Sequence, residues 1–168
     1  MAHPLVDQLR FTRSEFMRAF TGVSEEDARK RFPPLNCISW TVGHLAWQEQ
    51  KRLLYFGQGK MLLPELDVLV GKGQPASTPP LAEMVSAWQT ITRANDPWLD
   101  NLDQAFLSTY CIKEGVVSEE LWGSVLLRIT YHYWYHLGEI AGIRQVLGQT
   151  NLPQFVGDID SLAPYRPE

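Results

Sequence analysis

The stretch Tyr131-His132-Tyr133-Trp134-Tyr135-His136-Leu137-Gly138-Glu139-Ile140 decides how the rest of the chain is read. It sets two of the four histidines four positions apart, inside the segment with the strongest helical periodicity. Residues four apart on a helix share a face, one turn above the other. Two imidazoles so placed can point into one space and share a divalent cation. A third ligand has to come from another segment, and His44 is the candidate. In the plainer alternative, His132 and His136 are neutral side chains, each hydrogen-bonded to a neighbour, and His44 is simply exposed. Tyr133 occupies the position at which H-E-x-x-H carries its glutamate, so the metalloprotease helix is absent.

Around this stretch the spacing predicts a long fourth helix. Ser118 is its expected cap, with Glu119 and Glu120 in the first turn and Gly148 at the end. Its core stripe is Leu126, Ile129, Tyr133, Ile140 and Leu147, flanked by the histidines. Helix two is expected from Ile38 to Phe56, capped by Asn36 or Ser39 and ended by Gly57-Gln58-Gly59. Ile38, Val42, Leu45 and Leu53 form its apolar face. His44 belongs instead to a polar stripe with Thr41, Gln48 and Lys51, an unusual setting for a histidine packed among aliphatics.

Helix one starts at Pro4 and carries Leu5, Leu9, Phe16 and Phe20 inward, with Asp7, Arg10, Arg13 and Arg18 mostly outward, and Gly22 stops it. Ser24-Glu25-Glu26-Asp27 reads as a capping box for a short helix before Pro33-Pro34. Residues 57–80 form a long connection, yet MLLPELDVLV within it is apolar enough to pack down. Helix three opens with Thr78 as N-cap and Pro79 at the first position, and is kinked or briefly broken at Asn95-Asp96-Pro97. Residues 107–117 read as irregular or briefly extended around Glu114-Gly115. The tail from Asn151 is irregular and packs over one bundle end through Leu152, Phe155, Val156 and Tyr165. The expectation is an all-α bundle in a single domain, 1–168.

Composition narrows the function classes. Hydrophobic residues at 45% and charged residues at 20% are ordinary globular values. A net charge of −4 offers no footprint for nucleic acid or an anionic membrane. No apolar run approaches a membrane span or a signal peptide. Cys37 and Cys111 make no paired motif and are read as thiols in a reducing, cytoplasmic protein. Nucleophile-elbow, P-loop and dinucleotide signatures are absent.

Three neutral imidazoles leave coordination positions open, which marks a catalytic site rather than a structural one. The metal could lower the pKa of bound water or present a thiolate. Histidine ligation suits zinc, nickel, copper or iron. Glu139 is a hydrogen-bond partner for a ligand, a ligand itself, or a solvated helix residue. Cys37 lies about 10 Å from His44 by helical rise, so both cysteines stay outside the site.

The segments Ile38-Ser39-Trp40-Thr41-Val42-Gly43-His44-Leu45-Ala46 and Tyr131-His132 through His136-Leu137-Gly138-Glu139-Ile140 resemble the DinB and YfiT-like superfamily of damage-inducible metalloenzymes. Ser24-Glu25-Glu26 and the following Pro-Pro add to the likeness. The resemblance implies a four-helix bundle with an unusual helix order rather than an up-down arrangement, and commonly a homodimer. It implies a divalent metal, such as zinc, nickel or iron, on a triad that maps to His44, His132 and His136. Relatives of this kind include transferases and isomerases that use low-molecular-weight thiols.

The leading expectation is therefore a metal-dependent enzyme that activates a thiol for transfer to a small electrophile. A metal-dependent hydrolase, and a non-catalytic metal- or small-ligand-binding stress protein, are the alternatives. Six tryptophans, with Trp134 opposite the histidine face, add an expectation of self-association. The alternative is that the tail covers Trp134 through Phe155 or Tyr165.

Overall fold

The computed structural model describes residues 2–166. Met1 and positions 167–168, which the domain and tail expectations included, lie outside the described residues. The chain is mostly helical. In order it forms α1 (Pro4–Phe20), α2 (Glu25–Arg29), α3 (Ile38–Glu49), a π-helical stretch (Gln50–Tyr55), α4 (Phe56–Gln58), α5 (Leu66–Leu69), α6 (Leu81–Leu99), α7 (Gln104–Leu107), strands β1 (Tyr110–Lys113) and β2 (Val116–Leu121), α8 (Trp122–Val146) and α9 (Ile159–Leu162). The segment from α3 to α4 is continuous, so helix two ends near its expected limit, with Gly59 taking the left-handed φ of +67°.

The core lies between two closely packed helix pairs, α3 with α6 and α1 with α8. Leu9, Phe16, Leu45, Ile91, Leu126, Ile129 and Tyr133 meet there fully buried. The stripe expected on α8 is present, with Ile140 buried and Leu147 partly so. Gly43 is where α3 must come close to its neighbours, because a Cβ there would sit 2.3 Å from Met84 Sδ and 3.1 Å from Val70 Cγ1. The long connection does pack down: Leu66 and Val70 are buried.

Several capping expectations are corrected. Helix two has Cys37 at its N-cap with no side-chain cap bond, not Asn36 or Ser39. The Cys37 thiol lies 3.3 Å from Ser39 Oγ, which therefore turns back rather than caps. On α6, Thr78 does not cap; the Glu25 carboxylate reaches across from α2 and accepts the backbone N–H groups of Leu81 and Ala82, both at 2.8 Å. A carboxylate suits these first, unpaired N–H groups at the positive end of the helix. Glu25 is held below the usual carboxylate range by those two bonds. Ser24 caps α2 as expected, accepting from Asp27 N. Pro97 sits inside α6, which runs on to Leu99 without a break.

The largest correction is at the start of α8. Ser118, Glu119 and Glu120 are strand, not a cap and first turn, and α8 begins at Trp122 with Leu121 as N-cap. The residues expected to be briefly extended form an antiparallel hairpin that pairs Ile112 with Val117 and Tyr110 with Leu121. Glu114 and Gly115 turn it with φ of 52° and 82°, the pair of positive values a tight hairpin turn needs. Cross-strand pairing of the Val116-Val117 run outweighs a cap signal that three polar residues only resemble. In the tail, Phe155 packs against the core, whereas Tyr165 and Val156 are exposed. Ile159–Leu162 is a short helix where none was expected.

Arg13, expected to face outward, is buried. It pairs with the fully buried Glu49 and with Asp96 (2.8 Å). Trp134 is likewise not left bare: it is half-buried, its ring 6.3 Å from that of Phe11 on α1, so neither tail residue is needed to cover it. All six tryptophans are buried or half-buried, which removes surplus indole as an argument for self-association. No helix among the described residues is long and apolar enough to cross a membrane.

Candidate metal centre

The polar stripe of helix two and the histidine face of α8 confront one another. His44, His132 and His136 each offer a ring nitrogen within 4.8 Å of the others. His44 is not exposed. It is buried between two indoles, stacked on Trp40 at 4.5 Å and on Trp47 at 5.1 Å. Gln48 and Lys51, from the same stripe, line the cavity in front of it. Thr41 instead turns its hydroxyl back to the Cys37 carbonyl at 3.2 Å.

Each imidazole is oriented through its Nδ1. His44 Nδ1 lies 2.8 Å from the Val70 carbonyl, at the end of α5. His132 Nδ1 lies 2.6 Å from Gln48 Oε1, and His136 Nδ1 lies 2.6 Å from Glu139 Oε2. A carbonyl, an amide oxygen and a carboxylate are all acceptors, so each Nδ1 carries the proton and each Nε2 presents a lone pair. Two of these lone pairs face each other, His132 Nε2 to His136 Nε2 at 3.0 Å. Bare lone pairs at that distance repel unless a proton or a cation lies between them. A tetrahedral metal with bonds of about 2.0–2.1 Å sets its nitrogens roughly 3.3 Å apart, so the arrangement fits a small divalent cation.

The electrostatics agree. Burial, helped by the neighbouring His136, pushes the His44 imidazole down to about 4, despite its bond to the Val70 carbonyl. Burial, with His136 and His44 adding, pushes His132 down to about 3. Both are therefore neutral at neutral pH, as metal binding requires. Glu139 is half-buried, which would raise its carboxyl, but the hydrogen bonds from His136 and Tyr135 help to outweigh burial and lower it. Of the roles considered for Glu139, the structure places it behind His136 as hydrogen-bond acceptor.

The three histidines line a cavity of about 730 Å³ between the α3–α4 segment and α8. His3 is far from it: its Nδ1 accepts from Leu5 N as the cap of α1. Cys37 and Cys111 are buried, free, and outside the triad. Burial raises the Cys111 thiol, which makes it a poor nucleophile.

Sequence reasoning missed the supports. Gln48 stood in the polar stripe without a role, and nothing local pointed to the Val70 carbonyl. Beneath the site, Glu49 accepts from Arg13, from Asn95 Nδ2 (3.1 Å) and from the Tyr133 hydroxyl (2.7 Å). The same hydroxyl accepts from Trp88 Nε1 at 2.7 Å. Gln48 and Glu49, and likewise His132 and Tyr133, are consecutive residues, so this buried network fixes the backbone that carries His132 and its partner Gln48. The signal available was a Glu and a Tyr beside the site in otherwise apolar helix faces.

A search of curated proteins finds no match to this chain. A family model described as the DinB superfamily matches residues 8–140, a span that holds all three histidines, Gln48 and Glu139 and stops before the tail. With most of its length matched, the chain belongs to the DinB superfamily.

Proposed function

We propose that this protein is a metal-dependent enzyme in which His44, His132 and His136 hold a divalent cation and a low-molecular-weight thiol is transferred to a small electrophile. The observation that carries the reading is the geometry: each Nδ1 lies against a carbonyl, amide or carboxylate oxygen, and the three rings gather within 4.8 Å at one open cavity. The cation would be zinc, nickel or iron, and when bound it would lower the pKa of a thiol or water at its open positions. The chain's own part is to aim the imidazoles, through Val70, Gln48 and Glu139, while burial keeps His44 and His132 neutral. Trp40 and Trp47 flank His44 with apolar surface that limits water on that side.

In this reading the four long helical segments are the superfamily's four-helix bundle in its own helix order. Two buried free cysteines suit a reducing, cytoplasmic setting. Metal analysis of the purified protein tests the site. His44→Ala with His132→Ala should empty it and His3→Ala should not; full metal content in the double variant would refute the triad. Turnover of a model electrophile only with added thiol supports transfer. Thiol-independent ester or amide cleavage would replace it with hydrolysis, and silence across both panels with a binding role.

A further inference from the structure

The cavity in front of the histidines has a charge unlike that of the whole protein. Lys51, Arg52, Lys72, Lys113 and Arg128 line it, five of the chain's fifteen Lys and Arg, while no Asp or Glu among the described residues does. The protein as a whole is acidic, with net charge −4. Three of the five cations converge on one carboxylate. Glu120 on β2 takes Arg52 Nη1 at 3.1 Å, Arg128 Nη2 at 2.8 Å, and the Lys113 ammonium from the opposite strand. Glu120 thus holds the three cations together and leaves the group with a surplus of positive charge. The Lys113 hydrogen bond and the nearby arginines, against some opposing burial, keep Glu120 ionised down to about 2.

The placement relative to the metal centre follows from helix geometry. Arg128 is four residues before His132 on α8, about one turn or roughly 6 Å along the helix, and Arg52 is four after Gln48, the residue that holds His132 Nδ1. Lys51 lies over the Trp47 ring at 5.5 Å, and Lys72 comes to the cavity from the long connection. Trp40, also in the lining, has a buried indole N–H with no partner among the described residues. Guanidinium forks match carboxylate oxygens, and in a cleft such a cluster draws anions in.

From this lining we infer that the site takes a small organic anion, whose carboxylate seats against Arg52, Arg128 and Lys113 while its reactive end reaches the histidines. The inference rests on the metal-centre reading for where the reactive end goes, but the anion subsite itself does not need the metal.

The test separates the two. Calorimetric titration of metal-free protein with succinate should show binding, with no binding of dimethyl succinate. The Arg52→Gln, Arg128→Gln double variant should lose about tenfold or more in succinate affinity, the scale of charge-assisted bonds. Lys72→Gln, a change in a surface connection, should lose less but in the same direction. Glu120→Gln should strengthen succinate binding, since it frees three cations; a merely structural carboxylate would not do so. Equal binding of succinate and its diester, or weaker succinate binding to a folded Glu120→Gln protein, would overturn the anion subsite.

Cobalt-loaded protein then reads the reactive end through the thiolate-to-cobalt absorption. Mercaptosuccinate should bind about tenfold more tightly than 2-mercaptoethanol, and the double arginine variant should erase that advantage. If succinate excludes 2-mercaptoethanol, the carboxylate belongs to the thiol; if both bind together, it belongs to the acceptor. Succinate binding without any cobalt uptake would sink the metal reading alone, whereas cobalt uptake without succinate binding would sink this inference alone.

Discussion

Replacing Arg13 with Met would remove the counter-charge of a carboxylate that has no access to water. The Glu49 side chain is 0% exposed and that of Arg13 7%. Glu49 receives two bonds from Arg13, one from Asn95 and one from Tyr133, and the Met variant keeps only the last two. Breaking a buried pair by deleting one partner costs about 3–5 kcal/mol, because the charge left behind stays desolvated. For a chain of this size each kcal/mol moves the melting temperature by about 2–4 °C, so a loss of about 4 kcal/mol lowers it by roughly 8–16 °C. Adding Glu49→Gln removes the stranded charge and keeps one of the two acceptor oxygens that Asn95 and Tyr133 use, and should reduce the loss to about 1–2 kcal/mol. Denaturant and thermal unfolding of the metal-free proteins, followed by circular dichroism, give both numbers. A single variant that loses less than about 1 kcal/mol, or a double variant no more stable than the single one, would refute the reasoning.

Gln48→Ala removes the acceptor behind His132 and should weaken metal binding by about 10–100-fold with the melting temperature of the apoprotein nearly unchanged; chelator competition measures it, and unaltered affinity would contradict the tautomer assignment. Metal-free protein should lose stability as pH falls from about 6.5 to 5. His44 and His132 are held below their ordinary value in the fold, so the unfolded chain binds more protons there, at up to about 1.4 kcal/mol per histidine per pH unit. Unfolding free energies that are flat across that window, where carboxylates contribute little, would count against the depressed imidazoles. A homodimer is proposed on a surface other than the tryptophans: Leu127, Tyr131 and Tyr135 lie at helical spacing along α8, exposed by 36%, 64% and 64%. Light scattering should report a dimer that Tyr131→Glu converts to monomer, and a wild-type monomer at micromolar concentration would remove the proposal.

The gathering of the three histidines was legible because a helix writes its face into the chain at a fixed spacing, and because His44 sat in a stripe of polar neighbours. The main helices were legible for the same reason. What stayed hidden depends on distant partners. Arg13 looks like any exposed helix cation until Glu49 arrives from α3, and Thr78 looks like a cap until Glu25 supplies two better-placed oxygens. Ser118-Glu119-Glu120 carries the local marks of a helix start, yet it pairs with β1 and puts Glu120 among three cations. Local signals report the cost of a conformation but not the identity of its eventual neighbour.

Val70 is a buried aliphatic residue, and its side chain takes no part in holding His44; its backbone carbonyl does. Substitution by another side chain leaves that oxygen where it is. A residue-by-residue scan would therefore pass over one of the three supports, recording at position 70 only the loss of packing. The support answers instead to chain length and path: one residue added to or deleted from 57–80 would swing the carbonyl away and free the ring to turn. Drift in amino-acid identity along this connection is tolerable to the site, whereas drift in its length is not.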